Sequence, residues 1–204
     1  MSRLVLGINS AHGDAAAALV GEQGLIAAIA EERINRKKHC GGFPALAVEE
    51  VLRIAGARPE DLTDIAVARD PGATLGAKLS FMARNPSIGV ARAMSRFKVH
   101  REVRATKDLF AEAMGARSDR ISAKFHAIEH HVAHVASSYF CSPFERATGL
   151  SIDGSGDFAS SLLATCEGSE IRAHRRVVLP HSLGVFYTRS ASSSGSSGSV
   201  KSTR

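Results

Sequence analysis

Two apolar runs in this chain each close on a short turn rich in glycine and aspartate, and each turn opens onto two further apolar runs. The first run is Leu4-Val-Leu-Gly-Ile8, and its turn is Asn9-Ser-Ala-His-Gly-Asp14. Ala15–Val20, the turn Gly21–Gly24 and Leu25–Ala30 follow. The second run, Ala147–Ile152, closes on Asp153-Gly-Ser-Gly-Asp157, followed by Phe158–Cys166 and Ile171–Leu179. Three short apolar runs separated by polar turns predict an antiparallel β-meander. Alanine is a poor strand former, but six residues between glycine turns favour a strand for Ala15–Val20 over a helix. A chain that spells this unit twice is constrained to two related sheets, each with a glycine turn that lets an anionic ligand approach the backbone.

The intervening residues supply helices. Pro44 opens one whose apolar positions are Leu46, Val48, Val51, Leu52 and Ala55, and Gly56 stops it. Asp64–Ala68 reads as a short buried strand, and one or two basic helices fit between Asp70 and Arg120, with Val103, Phe110 and Met114 on a buried face. Phe81, Met82, Met94 and Phe97 read as packing residues. Ile121–Ile128 reads as a strand feeding a helix that runs to Tyr139 or Phe140. Duplicated meanders with flanking helices predict an α/β fold of the actin-like ATPase (ribonuclease H-like) type, a mixed sheet with flanking helices. In that logic paired turns grip a nucleotide's phosphates, which makes Gly13, Asp14, Gly154, Ser155 and Gly156 candidate cofactor-binding residues.

The helix predicted after Ile121–Ile128 carries three histidines, His130, His131 and His134. His130 and His134 are four apart, so they project from one helical face and can share a metal ion. Asp153 stands nineteen residues past His134, at a predicted strand end beside glycine, where it can supply a third ligand. No glutamate follows His130, so this is not the HExxH of zinc proteases. Mixed imidazole and carboxylate donors suit iron, zinc or manganese.

Composition bounds the rest. No apolar run approaches the roughly 18 residues of a membrane span, and the N-terminus lacks the pattern of a secretory signal. Cys40, Cys141 and Cys166 are odd in number and far apart, which argues against a disulfide framework. A cytoplasmic location is expected. Of the net charge of +6, three charges (Arg189, Lys201 and Arg204) sit in the last sixteen residues. A basic group from Arg92 to Lys107 spreads over several helical faces, and no stacking aromatics accompany it, so nucleic acid is not the expected partner.

Several segments together resemble the N-terminal region of the O-carbamoyltransferases of nodulation-factor and antibiotic biosynthesis. They are Leu6-Gly-Ile-Asn-Ser-Ala-His-Gly-Asp-Ala-Ala-Ala-Ala-Leu19, Glu31-Glu-Arg-Ile-Asn-Arg-Lys-Lys-His39 and Gly42-Phe-Pro44. His130-His-Val-Ala-His-Val-Ala-Ser137, Ser142-Pro-Phe-Glu145, Asp153-Gly-Ser-Gly-Asp157 and Pro180-His-Ser-Leu-Gly-Val-Phe-Tyr-Thr188 continue the set in the family's order. The resemblance implies an enzyme that makes carbamoyl-adenylate from ATP and carbamoyl phosphate. The carbamoyl group then passes to a hydroxyl of a small-molecule or oligosaccharide acceptor. It further implies an actin-like domain related to the tRNA threonylcarbamoyladenosine transferase subunit, holding iron or another divalent metal. Carried over by motif, the ligands are His130, His134 and Asp153, and His12 lies near the transferred group as a catalytic residue. A metal-bound imidazole must be neutral, so activity is expected to fall below about pH 6. Glu31, Glu32, Arg33 and Arg36 read equally well as a solvated, charged strand end.

The resemblance places adenylate formation in a second, C-terminal domain, so residues 1–188 are expected to form an incomplete actin-like domain, inactive alone and prone to self-association. A metal- or nucleotide-binding module, such as a partner in tRNA threonylcarbamoylation, is the alternative. Residues 189–204 carry eight serines and are expected to be disordered. Deleting one base from codons for the family-like string Ala-Leu-Ser-Gln-Phe-Leu-Gly-Phe yields Arg-Ser-Ala-Ser-Ser-Ser-Gly-Ser, which is the sequence of Arg189–Ser196. A frameshift and a designed linker both account for that composition.

Overall fold

A computed structural model describes residues 3–10, 13–85, 106–115 and 120–193. The chain divides into two units, one of residues 1–71 and 82–128, the other of residues 72–81 and 129–204.

The first unit is built on a five-stranded sheet. Strands β1 (Val5–Asn9), β2 (Ala16–Gly21) and β3 (Gly24–Ala30) form the expected antiparallel meander. Strands β4 (Asp64–Val67) and β5 (Lys124–Ala127) add in parallel, giving the order β3-β2-β1-β4-β5. Alternation decides which side is covered: Leu6 and Ile8 of β1 and Ala17 and Leu19 of β2 are buried. Helix α1 (Glu31–Asn35) follows β3, and α2 (Ala45–Ala55) lays Ala47, Val48, Val51 and Leu52 into the core. Pro44 sits at its N-cap, and Gly56 ends it in the left-handed conformation glycine tolerates (φ 61°). Leu46 faces outward instead of inward, because its place in the first turn falls off the buried stripe.

Glu31 corrects the reading of its segment as a solvated strand end. It is buried, and its carboxylate accepts the backbone N–H groups of Leu46 (3.3 Å) and Ala47 (2.8 Å). These are donors that the first turn of α2 cannot satisfy internally.

Helix α3 (Leu75–Arg84), which belongs to the second unit as far as Phe81, and helix α4 (Thr106–Ala113) of the first unit follow β4 in the chain. Phe110 of α4 is fully buried and Met114 packs against the same core, as expected; Val103, Met94, Phe97 and the basic residues Arg92 to Arg104 lie outside the described residues. Strand β5 is shorter than Ile121–Ile128, although Ile121 and Ala123 still enter the core ahead of it.

The second unit holds the second meander. Strands β6 (Arg146–Gly156), β7 (Ala159–Glu167) and β8 (Glu170–Val178) pair antiparallel in that order. Helix α5 (His130–Tyr139) covers one face, with Val135 and Tyr139 packed on Leu162, Ala164 and Cys166. Gly149 permits this approach, since a Cβ there would stand 2.5 Å from Val135. The opposite face leaves Leu150, Ile152, Leu163 and Val177 exposed.

Helix α6 (Leu183–Ser193) packs on β6 and runs five residues into the segment 189–204 read as a disordered tail. Ser192 and Ser193 donate their hydroxyls to the carbonyls of Thr188 and Ser190, the back-bonding that serine makes within a helix. Residues 194–204 lie outside the described residues. The three cysteines are free. Among the described residues no helix is long and apolar enough to cross a membrane. A five-stranded mixed sheet, a second meander and flanking helices make the α/β fold with two meanders that the sequence predicts.

Candidate metal centre

His130 is the first residue of α5 and His134 stands one turn on, so both imidazoles leave the helix on one side. Their Nε2 atoms are 3.0 Å apart. Asp153, on β6, brings Oδ2 to 2.9 Å from His130 Nε2 and 3.7 Å from His134 Nε2. The three donor atoms lie within 4.8 Å of one another. Two nitrogens bound to one ion at about 2.1 Å and meeting near a right angle stand about 3.0 Å apart. The spacing and the donor chemistry therefore both fit a divalent ion.

The surroundings fix each ligand. Asp153 Oδ1 accepts the N–H of Gly154 at 2.6 Å, leaving Oδ2 for the histidines. Ser182 donates to the Gly154 carbonyl (2.7 Å) and accepts the Val185 N–H (3.1 Å), so it caps α6 and ties that helix to the strand bearing Asp153. Gly184 lets α6 come this close: a Cβ there would stand 2.6 Å from the Asp153 carbonyl. The N–H of His130 donates to Asp157 Oδ2 at 2.9 Å. Glu129 caps α5 by accepting from His131 and pairs with Arg176 at 3.0 Å.

Electrostatics keep the donors ready. Partial burial, together with the neighbouring His130, lowers the His134 pKa below the histidine value of 6.5; Asp153 opposes this only in part. For Asp153 burial acts upward but is outweighed by the bonds from His130 and Gly154 and by the two imidazoles, which hold it below the usual carboxylate value. Neutral imidazole and ionised carboxylate are the forms that bind metal. His131 faces the other way: it is fully buried and its Nδ1 meets Ser151 Oγ at 2.8 Å.

The glycine segment differs from the turn read in the sequence. Gly154, Ser155 and Gly156 continue β6 through an irregular stretch, and the chain reverses at Asp157 and Phe158. Gly156 is needed because the His130 ring fills the space a Cβ would take, whereas a Cβ at Gly154 would meet nothing within 4 Å. Gly13 and Asp14 belong to the first unit, where Asp14 Oδ1 accepts from the His39 ring Nδ1 at 3.0 Å across two exposed side chains. His12 lies outside the described residues. Ser182, Gly184 and Asp157 were not among the expected site residues. All three lie in segments that carry the family resemblance, and Ser182 had a further signal, its place as a helix N-cap three residues before Val185.

The family model described as carbamoyltransferase N-terminus matches residues 4–200. The chain belongs to this family. Among relatives of the carbamoyltransferase N-terminus is the uncharacterized protein sll1178 of Synechocystis sp., 33% identical over 191 residues, which are 90% of this chain and 31% of that protein. The nodulation protein NolNO of Sinorhizobium fredii is 32% identical over 180 residues, 88% of this chain and 25% of its own length. The chain thus spans about a third to a quarter of these relatives. YeaZ from Pseudomonas aeruginosa superposes with a TM-score of 0.46 at 17% identity, over 87% of this chain and 67% of YeaZ.

Proposed function

We propose that this carbamoyltransferase N-terminus holds a divalent metal, iron first and zinc or manganese next, on His130, His134 and Asp153, and uses the site in ATP-dependent carbamoyl transfer to a hydroxyl. The convergence of the three donor atoms within 4.8 Å, in a chain of this family, carries the reading. When bound, such an ion supplies Lewis acidity toward phosphoryl and carbonyl oxygens.

The chain's own residues do the rest. Neutral His134 and ionised Asp153 present lone pairs without a prior proton loss at neutral pH. Gly154 and Ser155 leave room beside Asp153 for a phosphate, and Gly13 and Asp14 are the corresponding residues of the first unit. His12 takes the proton of the acceptor hydroxyl. Carbamoyl phosphate and ATP are the co-substrates, and a small molecule or oligosaccharide is the acceptor. The adenylate-forming step belongs to a further domain of the family, and the exposed face of Leu150, Ile152, Leu163 and Val177 supports a covering partner, that domain or a second copy.

The chain is tested in two forms. Incubated alone with ATP, carbamoyl phosphate and hydroxyl acceptors, it is expected to bind metal and yield no carbamoyl product. Placed in a family member with measurable carbamoyl transfer, in exchange for the matching segment, residues 4–188 are expected to sustain transfer that His134→Ala abolishes. A chimaera equally active with and without His134 contradicts the proposal.

A further inference from the structure

The segment Gly156-Asp157-Phe158 surrounds His130 from one side. Gly156 gives its ring the space of a missing side chain, and Asp157 Oδ2 holds its backbone N–H at 2.9 Å. The segment does this at a conformational cost. Asp157 and Phe158 are both left-handed, with φ of 49° and 74°, as a two-residue hairpin of the mirror-image type I turn requires. Aspartate tolerates that region, but for a bulky phenylalanine it is a genuine outlier, and such conformations persist only where their surroundings enforce them.

The surroundings are on hand. Thr74 donates its hydroxyl to the Asp157 carbonyl at 2.6 Å, and the Phe158 carbonyl accepts the Leu179 N–H at 3.1 Å. The Phe158 ring is buried and meets Phe81 edge-to-face with centroids 5.6 Å apart. The hairpin is thereby clamped from α3 and from the end of β8.

We propose that Asp157 is a positioning residue for the metal site: clamped in the left-handed hairpin, it fixes the N-terminus of α5 so that His130 Nε2 is aimed at Asp153 and His134 before any ion arrives. The proposal rests on the metal reading of those three residues. A group that orients a ligand is typically worth about 10- to 100-fold in metal affinity. Two attributes of Asp157 are separable: its acceptor oxygen and its tolerance of positive φ. Asparagine keeps both, glycine keeps only the backbone freedom, and alanine keeps neither.

The test titrates the whole chain and its Asp157→Asn, Asp157→Gly and Asp157→Ala variants with Co²⁺ or Zn²⁺ by calorimetry, alongside metal-free thermal unfolding of each. Asp157→Asn is expected to bind within about threefold of the parent, and Asp157→Gly about 10- to 100-fold more weakly while unfolding metal-free near the parent's temperature. Parent-like affinity in Asp157→Gly overturns the proposal, because the acceptor oxygen then positions nothing. An Asp157→Asn affinity as low as that of Asp157→Gly also overturns it, since the negative charge rather than the hydrogen bond would then matter. A parent chain that binds no metal sinks the metal reading itself, which separates the two failures.

Discussion

The imidazole of His130 occupies the place where a side chain on Gly156 would begin. One residue on a helix thus requires the absence of a side chain on a strand twenty-six positions away in sequence.

Gly156→Ala is therefore expected to push His130 off its aim. Overpacking of this kind costs about 1–3 kcal/mol, and the ring, not the strand backbone, is the softer party. Metal affinity should fall at least about tenfold. Denaturant unfolding and metal titration of the variant measure the two effects; unchanged affinity would mean the ring relocates without leaving the site.

Protonation gives a second expectation. His134 and Asp153 both have folded pKa values below their ordinary ones, so the unfolded chain binds more protons than the folded chain in the window beneath those values. Their contribution to stability is present above pH 6.5 and lost as pH falls, first through the histidine and then through the aspartate. Metal uptake should persist somewhat below the pH at which a free imidazole would protonate, then disappear. Uptake that weakens already above pH 6.5 runs against this. Unfolding midpoints and metal binding measured from pH 8 to pH 4 follow both effects.

Glu31 supplies a third. Glu31→Ala removes the acceptor for two N–H groups in the first turn of α2 and leaves that of Ala47 unsatisfied in a buried place. The loss is expected to be about 1–3 kcal/mol of the first unit's stability, read from urea unfolding. A change below about 0.5 kcal/mol would assign Glu31 a surface role after all.

The core of the second unit supplies a fourth. Leu162 is fully buried beneath α5, so Leu162→Ala should destabilise by about 2–5 kcal/mol and loosen the helix that carries both histidines. Hydrogen exchange of the α5 amides tests the second half of that statement; exchange unchanged in α5 but faster elsewhere contradicts it.

Where a single local rule governs a residue, the sequence was enough. Alternation revealed both meanders, Pro44 and Gly56 bounded α2, and the four-residue spacing paired His130 with His134. Asp153 followed from its place at the end of an apolar run. What stayed hidden depends on partners distant in sequence. Gly154, Ser155 and Gly156 read as a turn, yet the glycine at 156 answers to His130, and the reversal falls on Phe158, whose residue type argues against positive φ. Glu31 looked like one charge among several until α2 came down on it. Helix α6 escaped because serine and glycine advertise a loop, while Ser182 and the close approach at Gly184 decide otherwise.

The central claim is that His130, His134 and Asp153 form one metal site. Calorimetric titration of the purified chain with Fe²⁺, Zn²⁺ and Mn²⁺, repeated on His134→Ala, tests it most directly. One ion per chain is expected for the parent, with an affinity reduced at least about tenfold, or no saturable binding, in His134→Ala. Equal binding by both chains, or binding without a defined stoichiometry, would contradict the account and leave the two imidazoles and the carboxylate as a hydrogen-bonded cluster.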